Sequence, residues 1–195
     1  MKGNKSLIVL IAVLAAVLLL AGVGYRWLTA RYVPETPQMA VQEETEKETP
    51  EEERVIAPDF TVLNGDGEEI RLSDFAGKPV VINIWATWCG PCKSELPAFE
   101  RMYEAYGEEI EFLMVNATDG AQETMEGVKA FVEENGYSFP VYYDTEFSAS
   151  MAYGATAIPL TVFVLADGTL AGGYRGAITE ETLEESIKIV LEASK

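Results

Sequence analysis

Cys89 and Cys92, in the stretch WATWCGPCK from Trp85 to Lys93, are the only cysteines in the chain. A Cys-x-x-Cys pair can be part of a metal site, a short structural staple or a redox couple. The chain contains no histidine, and structural zinc draws its four ligands mostly from Cys and His, so no metal is expected here. The same absence removes Ser-His-Asp triads, Cys-His pairs, His-ligated haem and HExxH sites. A staple closing so short a loop removes little entropy from the unfolded chain. Redox chemistry fits best. A thiol attacks as its thiolate, and a cysteine at a helix N-terminus lies where free N–H groups and the helix dipole favour negative charge. Cys92, one turn on, is spaced to attack a mixed disulfide formed at Cys89 and release the reduced partner. Gly90 permits close approach of a partner backbone, and Pro91 suits a first helical turn. Nothing calls for a cofactor.

The elements that must position this pair are legible from periodicity. Pro79 to Trp85, PVVINIW, reads as a buried central strand ending directly at the cysteines. After Pro91, Leu96, Phe99, Met102, Tyr103 and Tyr106 recur at helical spacing as far as Gly107. Upstream, Asp59–Leu63 and Glu68–Leu72 flank an Asn-Gly-Asp-Gly turn, an opening hairpin. Downstream come a strand at Glu111–Asn116, a helix marked by Met125, Val128, Phe131 and Val132 and closed by Asn135-Gly136, and a second hairpin from Pro159 to Tyr174 turning at Asp167-Gly168. Thr179 caps a last helix with Leu183, Ile187, Val190 and Leu191 on its inner face. This order implies α/β layers.

Two segments carry a family resemblance. WATWCGPCK with Pro97 resembles the thioredoxin active site, and YGATAIPLTVFVLADG, Tyr153 to Gly168, resembles the later segment of that family. The resemblance implies a thioredoxin-like fold with a central mixed β-sheet flanked by helices. It also implies a cis Ile158-Pro159 bond facing the cysteines, which places Ile158 and Pro159 at the substrate cleft; with Trp88, Gly90 and Pro91 beside the cysteines, these are the expected substrate contacts. The leading hairpin, the Glu-Leu-Pro after CGPCKS and a central insertion around Asp119–Glu146 narrow the likeness to membrane-tethered TlpA/ResA-like oxidoreductases. Those are typically extracytoplasmic thiol reductases acting on exported proteins such as apocytochrome c, with electrons from a membrane thiol shuttle of the CcdA/DsbD kind. One position departs from thioredoxin, whose buried Asp six residues before the first cysteine is Asn83 here. An amide accepts no proton at physiological pH. Glu95, three residues after Cys92 on the same helical face, takes that duty in TlpA/ResA-like proteins and is the expected acid-base group. Trp85 is expected in the core and Trp88 as a lid over the cysteines; Lys93 and Arg175 are given no role.

The rest of the chain says where this chemistry happens. With 195 residues, one domain plus extensions is the default. A formal charge of −18 disfavours nucleic-acid binding. Residues 1–28 contain the uncharged run Leu7–Tyr25, long enough to span a bilayer and lacking an Ala-x-Ala cleavage site. Lys2 and Lys5 against Arg26 and Arg31 give a slim margin for a domain outside the cytoplasm. Residues 29–57, rich in Pro, Glu and Thr, read as an extended acidic tether, and residues 58–195 as the folded domain. Two rival functions remain. A thiol peroxidase of peroxiredoxin type would carry Thr where Ala86 stands, and a redox-inactive tethered chaperone would have no use for the cysteines.

Overall fold

A computed structural model of the chain describes Leu18 and residues 54–195. Apart from Leu18, the expected anchor lies outside the described residues, as does nearly all of the tether, and among those described no helix is long and apolar enough to cross a membrane. The domain is built on a seven-stranded sheet of order β2-β1-β5-β4-β3-β6-β7. The strands are β1 (Thr61–Leu63), β2 (Glu69–Arg71), β3 (Val80–Trp85), β4 (Glu111–Asn116), β5 (Val141–Tyr143), β6 (Leu160–Val164) and β7 (Leu170–Arg175). Four α-helices complete the domain: α1 (Gly90–Tyr106), α2 (Met125–Asn135), α3 (Ser148–Ala152) and α4 (Glu180–Ala193). β3 runs parallel to β4 and antiparallel to β6, so the sheet is mixed as expected.

Alternation along β3 explains the layering. All six of its residues are buried, but successive side chains point to opposite faces of a sheet. Val81 and Trp85 join Phe112 and Met114 under the inner faces of α1, α2 and α4, where Leu96, Phe99, Val128, Leu183 and Ile187 pack. Val80, Ile82 and Ile84 face the other way, with Leu113, Val115, Val162 and Ala149 of α3. Asn83, between Val81 and Trp85, therefore points into the helix-covered side. Both hairpins form where Asn-Gly and Asp-Gly were read. Asn64 Oδ1 accepts from the N–H groups of Asp66 and Glu68, and Gly168 takes a φ of 84°.

Three features depart from the expectations. Leu72 opens a 3-10 turn, Leu72–Phe75, instead of ending the hairpin strand. The central insertion contains β5 and is followed by α3, neither of which was foreseen. Backbone pairing with the sheet begins at Val55, ahead of Pro58: Leu170 donates to the Val55 carbonyl, Ile56 bridges Thr169, and Ala57 donates to Gly168. Because Leu170 pairs with Val164 and Val164 with Val80, this entry point lies at the end of the sheet where β3 starts. The cysteines follow its other end.

Candidate active site

β3 delivers the chain through Ala86–Trp88 to Cys89, which is the N-cap of α1. Cys89 and Cys92 are joined in a disulfide with 5.2 Å between their Cα atoms. The two sulfurs are not equivalent. Cys89 keeps 5% of its surface exposed and Cys92 none. The Cys92 N–H donates to Cys89 Sγ at 3.2 Å, a bond that strengthens when the sulfur carries a thiolate charge. Pro91 occupies the first turn, where its missing N–H leaves nothing unpaired. Gly90 and Pro91 are exposed beside the disulfide.

β6 supplies the facing wall. Its antiparallel register pairs Leu160 with Ile84, so the residues just before β6 lie beside those just after β3. Ile158-Pro159 is cis, and the Ile158 carbonyl oxygen lies 3.7 Å from Cys89 Sγ. In the disulfide that sulfur has no proton to give, so the released thiol finds an acceptor already in place. Trp85 is fully buried in the core, as expected, and Trp88, just before Cys89, is 53% exposed.

Glu95 is 2% exposed, one turn along α1 from Cys92. Its Oε1 accepts from Asn83 Nδ2 at 2.8 Å and its Oε2 from the Ile178 N–H at 2.9 Å. Burial pushes its pKa up from 4.5 to about 7, and the two donated hydrogen bonds hold it from rising further. A carboxyl poised near neutrality can both hold and release a proton, here one helical turn from the buried Cys92. Asn83 also donates to Thr161 Oγ1 at 3.2 Å, while its own Oδ1 is buried without a partner. The residue that sequence reading dismissed as a proton acceptor is instead a hydrogen-bond donor to Glu95.

Glu123 escaped sequence reading. It is buried, and its carboxylate accepts from Thr87 N–H and Thr87 Oγ1, both at 2.6 Å, and from Asn116 Nδ2 at 2.7 Å. It therefore clamps the loop that enters the cysteine pair to the end of β4. Asp119 Oδ1 accepts from the N–H groups of Ala121, Gln122 and Glu123, shaping the turn that presents it. In the sequence DGAQETM these residues look like any polar loop, and only the tertiary fold buries one of them. Lys93 is exposed. Arg175 ends β7, where it donates to the Gly154 carbonyl at 3.0 Å.

Comparison with known proteins agrees with this geometry. The AhpC/TSA family model matches residues 54–172. The chain is 33% identical over 192 residues to the thiol-disulfide oxidoreductase ResA of Geobacillus kaustophilus, covering 96% of this chain and 99% of that one. It is 36% identical over 133 residues to ResA of Bacillus thuringiensis subsp. konkukian, covering 68% and 75%. Among solved structures, the exposed lipoprotein thioredoxin Etrx1 of Streptococcus pneumoniae superposes with a TM-score of 0.59 at 26% identity, covering 67% of this chain and 98% of that one. With a thioredoxin fold, a paired Cys89 and Cys92 and these relatives, the chain belongs to the AhpC/TSA family and, within it, to the ResA-type thiol-disulfide oxidoreductases.

Proposed function

We propose that this oxidoreductase reduces disulfides in exported proteins, with residues 1–28 holding it to the membrane and the catalytic domain outside the cytoplasm. The unequal exposure of the two sulfurs carries the assignment of roles. Cys89, at the rim and with a donor already aimed at its sulfur, is the nucleophile; Cys92, sealed beneath it, resolves. The Cys89 thiolate attacks one sulfur of the substrate disulfide, forming a mixed disulfide and expelling a thiolate that takes up a proton. Cys92, giving its proton to Glu95, then attacks Cys89 Sγ and expels the second substrate thiolate, which takes up a proton from water as Glu95 releases its own. The substrate gains two electrons and two protons, and the enzyme is left as the disulfide.

Substrate contacts are assigned to Trp88, Gly90, Pro91, Ile158 and Pro159. For Gly90 the support is steric: a Cβ added there would meet nothing within 4 Å, so the fold itself does not demand glycine. Regeneration requires two electrons and two protons, which we assign to a membrane thiol shuttle of the CcdA/DsbD type. Apocytochrome c and other exported thiol proteins form the substrate class. The uncharged run Leu7–Tyr25 supports the location, as does likeness to a protein described as an exposed lipoprotein.

Trapping tests the reading. A Cys92→Ser variant, reduced and then mixed with exported proteins, is expected to accumulate a mixed disulfide on Cys89 that dithiothreitol releases, while Cys89→Ser accumulates none. Equal trapping by both variants would reverse or remove the assigned roles.

A further inference from the structure

Among the described residues only three acidic side chains are buried, Glu95, Glu123 and Asp144. Asp144 caps α3 from outside it. The other two bracket the cysteine pair, Glu95 one turn after Cys92 and Glu123 bonded to Thr87, two residues before Cys89. A carboxylate is costly to bury without partners, and none of the ion pairs among the described residues includes Glu123. Neutral donors hold it instead, two of them on Thr87.

The anchor is itself fixed. The Glu123 N–H donates to Asp119 Oδ1 at 2.8 Å, and its carbonyl accepts from the Gly120 N–H at 3.0 Å. On the side of β4, the Thr118 hydroxyl donates to Asn116 Oδ1 at 2.8 Å, while Asn116 Nδ2 donates to Glu123 Oε1. The segment held, Ala86–Trp88, is short and carries Cys89 at its end, where the Cys89 N–H donates back to the Ala86 carbonyl at 3.2 Å. A continuous connection therefore runs from the end of β4 through Glu123 and Thr87 to Cys89. Buried networks whose members are paired in this way are rigid.

We propose that Glu123 is a positioning residue for the second exchange step, holding Cys89 Sγ, through Thr87, in the line of attack of Cys92. The inference rests on the disulfide-exchange reading and its roles for the two cysteines. In the first step Cys89 has only to meet an outside sulfur, and the substrate can adjust its approach. In the second the substrate is bonded to Cys89 and pulls on it, while Cys92, in α1 with none of its surface exposed, has little room to follow. A bond forms between the two cysteine sulfurs and the bond from Cys89 to the substrate breaks. The electron pair leaves on the substrate sulfur, which takes up a proton from water. Such a displacement needs the reacting sulfurs aligned, and a misplacement of about 1 Å can cost on the order of a hundredfold in rate.

The test uses the reduced full-length protein and a fluorescent peptide whose single cysteine is joined in a disulfide to nitrothiobenzoate. Nitrothiobenzoate, the better leaving group, departs with a yellow colour in the first step, and release of the peptide, seen as a fall in fluorescence anisotropy, reports the second. Glu123→Ala is expected to slow peptide release roughly tenfold or more while leaving the first step within about twofold. Glu123→Gln, which keeps each contact once the Thr87 hydroxyl turns round, is expected to restore the wild-type ratio of the two rates. Thr87→Val, which removes only the hydroxyl, is expected to move that ratio in the same direction by a smaller factor. If Glu123→Ala does not fold, Thr87→Val decides, and an unchanged ratio overturns the proposal. Both steps slowed alike, or neither slowed, would make Glu123 a structural support only and overturn it. Glu123→Gln as slow as Glu123→Ala would assign the effect to charge and overturn positioning. Wild-type protein that releases no nitrothiobenzoate would overturn the disulfide-exchange reading itself, and the proposal with it.

Discussion

The Asn83-Glu95 pair is where the chemistry of this site becomes measurable. Because the folded pKa of Glu95 is about 7 against an ordinary 4.5, the native state binds a proton in that interval that the unfolded chain does not. The corresponding stabilisation is fully present below about pH 4.5 and is lost as pH rises through 7, amounting to about 3 kcal/mol at about 1.4 kcal/mol per tenfold. Glu95→Gln is therefore expected to flatten the fall in denaturant stability of the oxidised protein between pH 5 and pH 8. It is also expected to remove a step near pH 7 in the rate of substrate reduction, and stopped-flow kinetics on the same pH series would check it. A wild-type stability curve as flat as the variant's would mean Glu95 titrates at its ordinary value. The cysteines, Glu95 and the Ile-Pro bond were legible because each sits in a fixed-spacing motif. The partners of Glu95 were not, because Asn83 and Ile178 reach it across the fold from 12 and 83 residues away.

At the scale of elements, the loops matter more than the helices. The entry loop to α1 is tied down by Glu123, whose removal strands three buried or half-buried donors, the Thr87 N–H, the Thr87 hydroxyl and the Asn116 amide. Glu123→Ala is expected to destabilise the oxidised protein by about 3 kcal/mol, whereas Glu123→Gln, which keeps an acceptor and can let the Thr87 hydroxyl turn round, should cost about 1 kcal/mol. Urea denaturation of the two variants side by side decides between a clamp and a bystander. The long elements were read nearly to their ends: β4 and α2 have the bounds their apolar spacing and the Asn135-Gly136 stop implied. Missed were β5, three residues long, and α3, the five-residue SASMA. Neither is long enough to show a period, and α3 owes its cap to Asp144, a residue outside it.

For the molecule as a whole, the sheet has a far end and a near end. Val55 enters beside the start of β3, and the disulfide follows the end of that strand. Six residues of extended chain separate the two, about 20 Å. If residues 1–28 hold the domain to a membrane, as proposed, its disulfide lies on the side away from the point of attachment, which suits the proposed exported clients and disfavours the proposed donor in the same bilayer. For such a donor to be served, the domain must tumble, and the freedom to do so scales with the reach of residues 29–54, at most about 3.5 Å per residue. Electron uptake and electron delivery would then respond differently to one dimension of the protein. Deleting residues 35–50 is expected to slow re-reduction by membrane vesicles carrying the donor while leaving reduction of a soluble disulfide unchanged. A ruler of this kind would let the length of an unremarkable acidic segment set how fast the enzyme is recharged without altering what it does to its clients.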